Sequence, residues 1–253
     1  MHLIFTTLII TLVLTTTAKG QEGDVSPKLV ICGGGSMPDS VFQRFLKMAG
    51  PKPNLVVIPT ASSRDLDPEK VQKLWRSRGF QDVFVLHTNN RNVASTSEFI
   101  EPLKTATAIW FCGGSQQRIA DAYLNTLLEK EVYELIQRGG VVGGTSAGAA
   151  IQSRVMIASG SREPKISTGL DLLPGSIIDQ HFLKRNRIPR LLVAIRAHPH
   201  LIGFGIDEGT ALITQEGNAQ VIGKSFVLRM ESVEGMIQLD AYNNGEEVPL
   251  ANR

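Results

Sequence analysis

Short apolar runs rich in β-branched residues recur along the chain, separated by longer stretches in which apolar positions follow helical spacing. The runs at 29–32, 55–58, 83–86, 108–112 and 141–142 each stop at glycine, proline or a polar residue, the pattern of strands buried on both faces. Asp67 suits a helix cap and Pro68 the first helical position; Val71, Leu74 and Trp75 then share a face, and Gly79 closes the helix. After the fourth run come two more helical stretches, one with Ile119, Ala120, Tyr123 and Leu124 on a face, the other with Val132, Leu135 and Ile136 before Gly139-Gly140. Regular alternation of this kind predicts an α/β fold: a mostly parallel sheet covered by helices on both faces.

The rhythm changes after Ser153. A loop-rich stretch over 159–175 leads to Ile177-Ile178, then to a helix over 189–197. Strand-like runs follow at 201–206, 210–214, 220–222 and 226–228, and Asn243-Asn244-Gly245 begins a polar tail. No repeat, linker or low-complexity segment interrupts residues 21–253, which read as a single domain.

Composition narrows the class further. Lys and Arg number 26 against 24 Asp and Glu, a balance of +2 that excludes a polycation built for nucleic acid. Two cysteines are too few for a disulfide scaffold or a four-thiolate metal site. Cys32 and Cys112 end two strands that read as neighbours; a bridge there would be strained, which favours two buried thiols. Residues 3–18 carry no charge and are too short to span a membrane, and Ala18-Lys19-Gly20 matches a peptidase cleavage site. Residues 1–20 are therefore expected to be a cleaved secretion signal, leaving a secreted or periplasmic protein with no stable membrane insertion.

The chemistry concentrates in Gly144-Thr145-Ser146-Ala147-Gly148, a G-x-S-x-G run between the fifth strand and a small-residue helix. So sharp a strand-to-helix turn exposes Ser146 as a nucleophile and aims the Ala147 N–H at a developing oxyanion. A serine needs a base, and His181, just past a strand-like run, is preferred over His87, His198 and His200. Cys112-Gly113-Gly114-Ser115-Gln116 ends the strand before the elbow, where glycine amides can approach a reacting carbonyl. Cys32-Gly33-Gly34-Gly35-Ser36 repeats this design and imitates a dinucleotide loop, but Pro38 occupies the third glycine position. No metal or organic cofactor is implied.

On these segments, with Asp179-Gln180-His181-Phe182 and the arginines that follow, the chain resembles the cyanophycinase and peptidase E family of serine exopeptidases. The resemblance covers roughly residues 29–227 and implies a fold similar to class I glutamine amidotransferases. It implies Ser146 as nucleophile, His181 as general base and the N–H groups of Gly114 and Ala147 as oxyanion hole. It also places Gln116, Asp179, Gln180, Arg185, Arg187 and Arg190 around the substrate. The departures are Ser115, where the family often has Asp, and a shortened loop over 159–175. That loop should hold the acid of the triad. Glu163, the one carboxylate between Ser146 and Asp171, is the expected residue; Asp171, Asp207 and Glu208 are its rivals.

Arginine forks suit carboxylates. Cyanophycin, an aspartate backbone bearing arginine on each β-carboxyl, presents carboxylates to Arg185 and Arg187 and a guanidinium to Asp179. The expected activity is release of β-aspartyl-arginine from this polymer, with cleavage of short aspartyl peptides or isopeptides as the alternative. A non-catalytic binding module is the rival from another class. The expected partners are a peptide or polymer substrate and, at most, a second copy in a homodimer, with no nucleic acid.

Overall fold

The computed structural model describes residues 26–64 and 66–252, so the expected signal over 1–20 lies outside the described residues. Strands β1 (Lys28–Cys32), β2 (Asn54–Ile58), β3 (Asp82–Val85), β4 (Ala108–Phe111) and β5 (Val141–Thr145) pair in parallel in the order β1-β5-β4-β2-β3. Alternate residues along each strand face opposite sides. Leu29, Ile31, Val56, Ile58, Ile109 and Phe111 enter one core, while Val30, Cys32, Leu55, Val57, Ala108 and Trp110 enter the other.

Helices cover both faces. Helices α1 (Asp39–Met48) and α2 (Pro68–Ser77) bring Val41, Phe45 and Trp75 to the second core, where Phe45, Trp75, Phe80 and Trp110 pack edge to face or tilted. On the first core lie the short α3 (Arg91–Ala94), then α4 (Ser97–Thr105), α5 (Gln116–Tyr123) and α6 (Leu127–Gln137). The four-residue α7 (Ala147–Ala150) follows β5 directly. Asp67 caps α2 as expected, accepting from the N–H groups of Glu69 and Lys70. Leu74, assigned to the apolar face, is instead half exposed, and Trp75 alone in that helix is fully buried. Helix α1 is a strong amphipathic segment that strand-first reading leaves unassigned.

The second half of the chain builds a different layer. Strands β6 (Val155–Ser159) and β7 (Lys165–Thr168) form an antiparallel hairpin, with β6 leading into the stretch expected to be loop and β7 inside it. Strand β8 (Ser176–Gln180), helix α8 (Ile188–Ala197) and strand β9 (Ile202–Ile206) make a parallel crossover unit. Strands β10 (Thr210–Gln215) and β11 (Asn218–Gly223) return antiparallel to the edge of the main sheet beside β1. Strands β12 (Val227–Val233) and β13 (Met236–Tyr242) complete a four-stranded sheet in the order β13-β12-β9-β8. The runs at 177–178, 201–206 and 226–228 fall in β8, β9 and β12 as expected, while β13 and the pairing of these strands into a second sheet are absent from the sequence reading.

Cys32 and Cys112 are both free thiols, and their strands are not neighbours: β5 lies between β1 and β4. Burial pushes both thiols up, Cys112 to about 12, so neither is a nucleophile near neutral pH.

The turn after β5 depends on close backbone approach. A Cβ on Gly144 would lie 2.9 Å from the Gly148 Cα, and one on Gly148 would lie 2.8 Å from the Phe111 Cβ. Gly148→Ala is therefore expected to cost about 1–3 kcal/mol of stability through overpacking. Urea denaturation monitored by tryptophan fluorescence measures the loss; an unchanged midpoint contradicts the packing account.

Candidate active site

Ser146 sits between β5 and α7 with φ 54° and ψ −108°, a conformation that costs a non-glycine residue about 1–3 kcal/mol. The strain is held by a hydrogen bond from its N–H to the Cys32 carbonyl at 3.0 Å and by the glycine contacts across the turn. Its hydroxyl is 2.9 Å from His181 Nε2. His181 follows β8 and has φ 48°. Its N–H donates to the Gly33 carbonyl at 2.7 Å, and the next N–H, of the fully buried Phe182, donates to Ile206 at 3.2 Å. Both ends of the residue are thereby pinned.

The carboxylate on the far side of the ring is Glu208, with Oε1 2.6 Å from His181 Nδ1. This corrects the assignment of Glu163, which is exposed in the turn between β6 and β7. The reason is sheet pairing. Strands β8 and β9 run parallel with Gln180 opposite Ile206, so the residues leaving their carboxyl ends emerge together. Asp207, a second rival, is engaged elsewhere: it accepts from the N–H groups of Leu183 and Lys184 and from the Ser225 hydroxyl. Burial opposes its charge, but these hydrogen bonds together hold its carboxyl below the usual range.

The glycine run after β1, set aside as a nucleotide loop, is the platform for this constellation. Consecutive carbonyls of Cys32, Gly33 and Gly34 accept from the N–H groups of Ser146, His181 and Gly209. Gly34 has φ +108°, and a Cβ there would lie 2.5 Å from His181 Nε2; one on Gly35 would lie 2.9 Å from Glu208 Oε2. The ring can occupy its place only because residue 34 has no side chain.

Across the cleft, Gly114 has φ +145° and packs so closely on 61–62 that a Cβ would reach within 2.9 Å of the Ser62 N. Neither its N–H nor that of Ala147, at the first position of α7, donates to a backbone carbonyl among the described residues. Ser115 is at the cap position of α5 without making a capping bond.

The polar residues expected around a substrate divide into two groups. Asp179 is fully buried and held by Arg190, whose Nε is 2.7 Å from Oδ2 and whose second nitrogen bonds Oδ1. Arg190 also donates to the Gly160 carbonyl at 2.6 Å. Asp179 therefore cannot receive a substrate guanidinium, and Arg190 is a buried strut rather than a free fork. Arg187 donates to the Gln180 carbonyl at 2.6 Å and to its Oε1 at 2.7 Å, with Asp179 Oδ1 3.5 Å away. Burial brings its guanidinium down to about 10, partly countered by Asp179. Gln116 ties α5 to β6 by donating to the carbonyls of Ile157 and Ala158. Gln180 accepts from Arg187 and lies 3.4 Å from the Ser146 hydroxyl. Arg185 is exposed and makes no side-chain hydrogen bond or ion pair among the described residues. Together Gly114, Gln116, Ser146, Gln180, Arg185 and Arg187 line a cleft of about 320 Å³.

An α/β sheet that presents a serine on an elbow, an imidazole against it and a carboxylate behind the ring is the framework of a serine hydrolase. Comparison with known proteins agrees and narrows the class. The profile of peptidase family S51 matches residues 29–222. A cyanophycinase from Geminocystis herdmanii is 34% identical over 198 residues, 74% of this chain and 73% of that protein. A cyanophycinase from Synechococcus elongatus is 35% identical over 201 residues, 74% of this chain but 62% of the relative. Among solved structures, a peptidase from an acI-B1 actinobacterium superposes with a TM-score of 0.71 and 28% identity, covering 88% of this chain and 96% of that one. A peptidase E protein from Listeria monocytogenes shares the fold at TM-score 0.55 and 20% identity, over 79% of this chain and 99% of that one. The chain belongs to peptidase family S51 and is a peptidase; a non-catalytic module has no support left.

The His181 imidazole is held below its ordinary range by burial, and the charges of Arg185 and Arg187 act in the same direction; the hydrogen bond and charge of Glu208 oppose this. The neutral ring accepts the serine proton, so reactivity is lost as the pH falls through this lowered value. The acidic limb of fluorophosphonate labelling is therefore expected below the pH at which free imidazole titrates. Glu208→Gln removes an opposing contribution: the limb moves further to acid and the maximal rate falls about 10⁴-fold. Glu163→Gln leaves both unchanged, and a loss in that variant would reinstate Glu163. Gly34→Ala, which displaces the ring, is expected to slow labelling about 10²-fold.

Proposed function

We propose that the protein is an exported serine exopeptidase that removes β-aspartyl-arginine units from cyanophycin through an acyl-enzyme. The observation that carries the chemistry is the hydrogen-bonded line from Ser146 to His181 to Glu208. In this reading Ser146 Oγ attacks the scissile carbonyl while His181 Nε2 takes its proton, and Glu208 holds the Nδ1–H and balances the imidazolium. The N–H groups of Gly114 and Ala147 receive the oxyanion. The imidazolium then protonates the leaving amine, and a water deprotonated by the same ring hydrolyses the ester.

The choice of substrate rests on two curated relatives named cyanophycinase and on the charge of the cleft. Arg185 is a free guanidinium beside the serine, suited to the α-carboxylate of a terminal arginyl group, while Gln116 Oε1 and the Gln180 amide offer neutral contacts. Arg187 and Arg190, anchored by Asp179, contribute positive potential more than direct contacts. Export rests on the uncharged segment over 3–18 and the Ala18-Lys19-Gly20 site.

Incubation of the folded enzyme with purified cyanophycin is expected to release β-aspartyl-arginine, identified by mass, and Ser146→Ala to lower the rate about 10⁶-fold. Intact polymer in the presence of enzyme that labels normally with fluorophosphonate would defeat the substrate assignment. Expressed with its leader in a secreting host, the mature protein is expected to begin at Gln21 on N-terminal sequencing; a retained leader contradicts export by cleavage.

A further inference from the structure

A second cavity, of about 450 Å³, lies beside the catalytic cleft at the same edge of the sheet. Its lining comes from the segments that leave the carboxyl ends of three adjacent strands: Ser62 and Arg64 after β2, His87 and Asn89 after β3, and Arg118 and Asp121 on α5 after β4. The two linings meet where the Ser115 N–H donates to the Ala61 carbonyl at 2.9 Å and Gly114 packs on Ser62 N. Helix α5 serves both, with Gln116 in the cleft and Arg118 in the second cavity.

The cavity's chemistry is built from both charges. Arg64 and Arg118 both line this space and have no side-chain partner among the described residues. Asp121 supplies a carboxylate; one of its oxygens takes a bond from Gln117 at 2.7 Å. His87 is oriented from beneath. The Thr88 N–H donates to the Tyr123 hydroxyl at 3.3 Å, Tyr123 and Thr60 hydroxyls are 2.5 Å apart, and Thr60 is 2.9 Å from His87 Nδ1. Thr60 and Tyr123 are fully buried, and the amide can only donate. This chain of hydrogen bonds holds the His87 ring in place at the cavity.

We propose that this cavity is a subsite for the arginyl side group of the substrate unit across the scissile bond from the one held in the cleft. Arg64 and Arg118 take its α-carboxylate and Asp121 its guanidinium. The match is of charge and of place: each unit of the proposed polymer carries one carboxylate and one guanidinium, and the linings of the two cavities meet. The inference rests on the cyanophycin reading above.

The test compares wild type with R64A/R118A on short β-aspartyl-arginine oligomers, using oligomers with free α-carboxylates and oligomers amidated on every unit except the terminal one. The double substitution is expected to raise KM for the free oligomers about tenfold, the size of one charge-assisted hydrogen bond. It leaves kcat and fluorophosphonate labelling of Ser146 unchanged. Amidation raises the wild-type KM by a similar factor and adds little in the variant. An unchanged KM in R64A/R118A, or an equal effect of amidation on both proteins, overturns the subsite. If wild type releases no dipeptide, the failure belongs to the proposed reaction. The subsite is then judged by calorimetric binding of the free oligomers, where tighter binding to wild type supports it and equal binding, or none, overturns it.

Discussion

Three consecutive peptide carbonyls hold this molecule's chemistry together. Cys32, Gly33 and Gly34 leave the end of β1 and accept from Ser146, His181 and Gly209, one residue from each segment that supplies a member of the triad. The serine segment leaves the seven-stranded sheet, while the histidine and glutamate segments leave adjacent strands of the other. A serine on a strained turn and a histidine at positive φ each cost free energy, and each is kept in place by a bond to the same short, side-chain-free stretch. Preorganisation of this kind places the reacting groups before substrate arrives, which is where much of an enzyme's rate advantage originates.

The charge around the cleft is arranged in layers. Asp179 lies beneath with no exposure, and its charge is matched by Arg190 and, more loosely, by Arg187. An unpaired carboxylate at that depth would be prohibitive, so the pair answers first to the demands of burial. The arginines it anchors still project potential into the cleft. Burial, aided by the charges of Arg185 and Arg187, holds the His181 imidazole below its ordinary range, and Glu208 behind the ring opposes this. Arg185 lies outside this network and is exposed at the cleft.

Several parts of this design are legible without coordinates because they are local. The G-x-S-x-G run demands a tight turn wherever it folds, and continuous apolar runs demand a sheet buried on both faces. Glu208 is different. It stands after a short strand with Asp207 beside it, and nothing local distinguishes the two carboxylates; Glu163 is nearer to the serine and histidine in sequence. Likewise Asp179 reads as a polar residue at the end of a strand, suited to a cationic ligand, until Arg190 is seen filling it.

The sequence by itself determined the fold class and the elbow, since these arise from periodicity and from steric limits within a few residues, while the choice of His181 rested on the base a serine requires and on the family resemblance. Tertiary structure alone decided which carboxylate supports the histidine, which arginines remain free and what the first glycine run is for. Those answers depend on the parallel register of β8 with β9 and on how closely β1 approaches both, distances set by the packing of two sheets and written in no single segment.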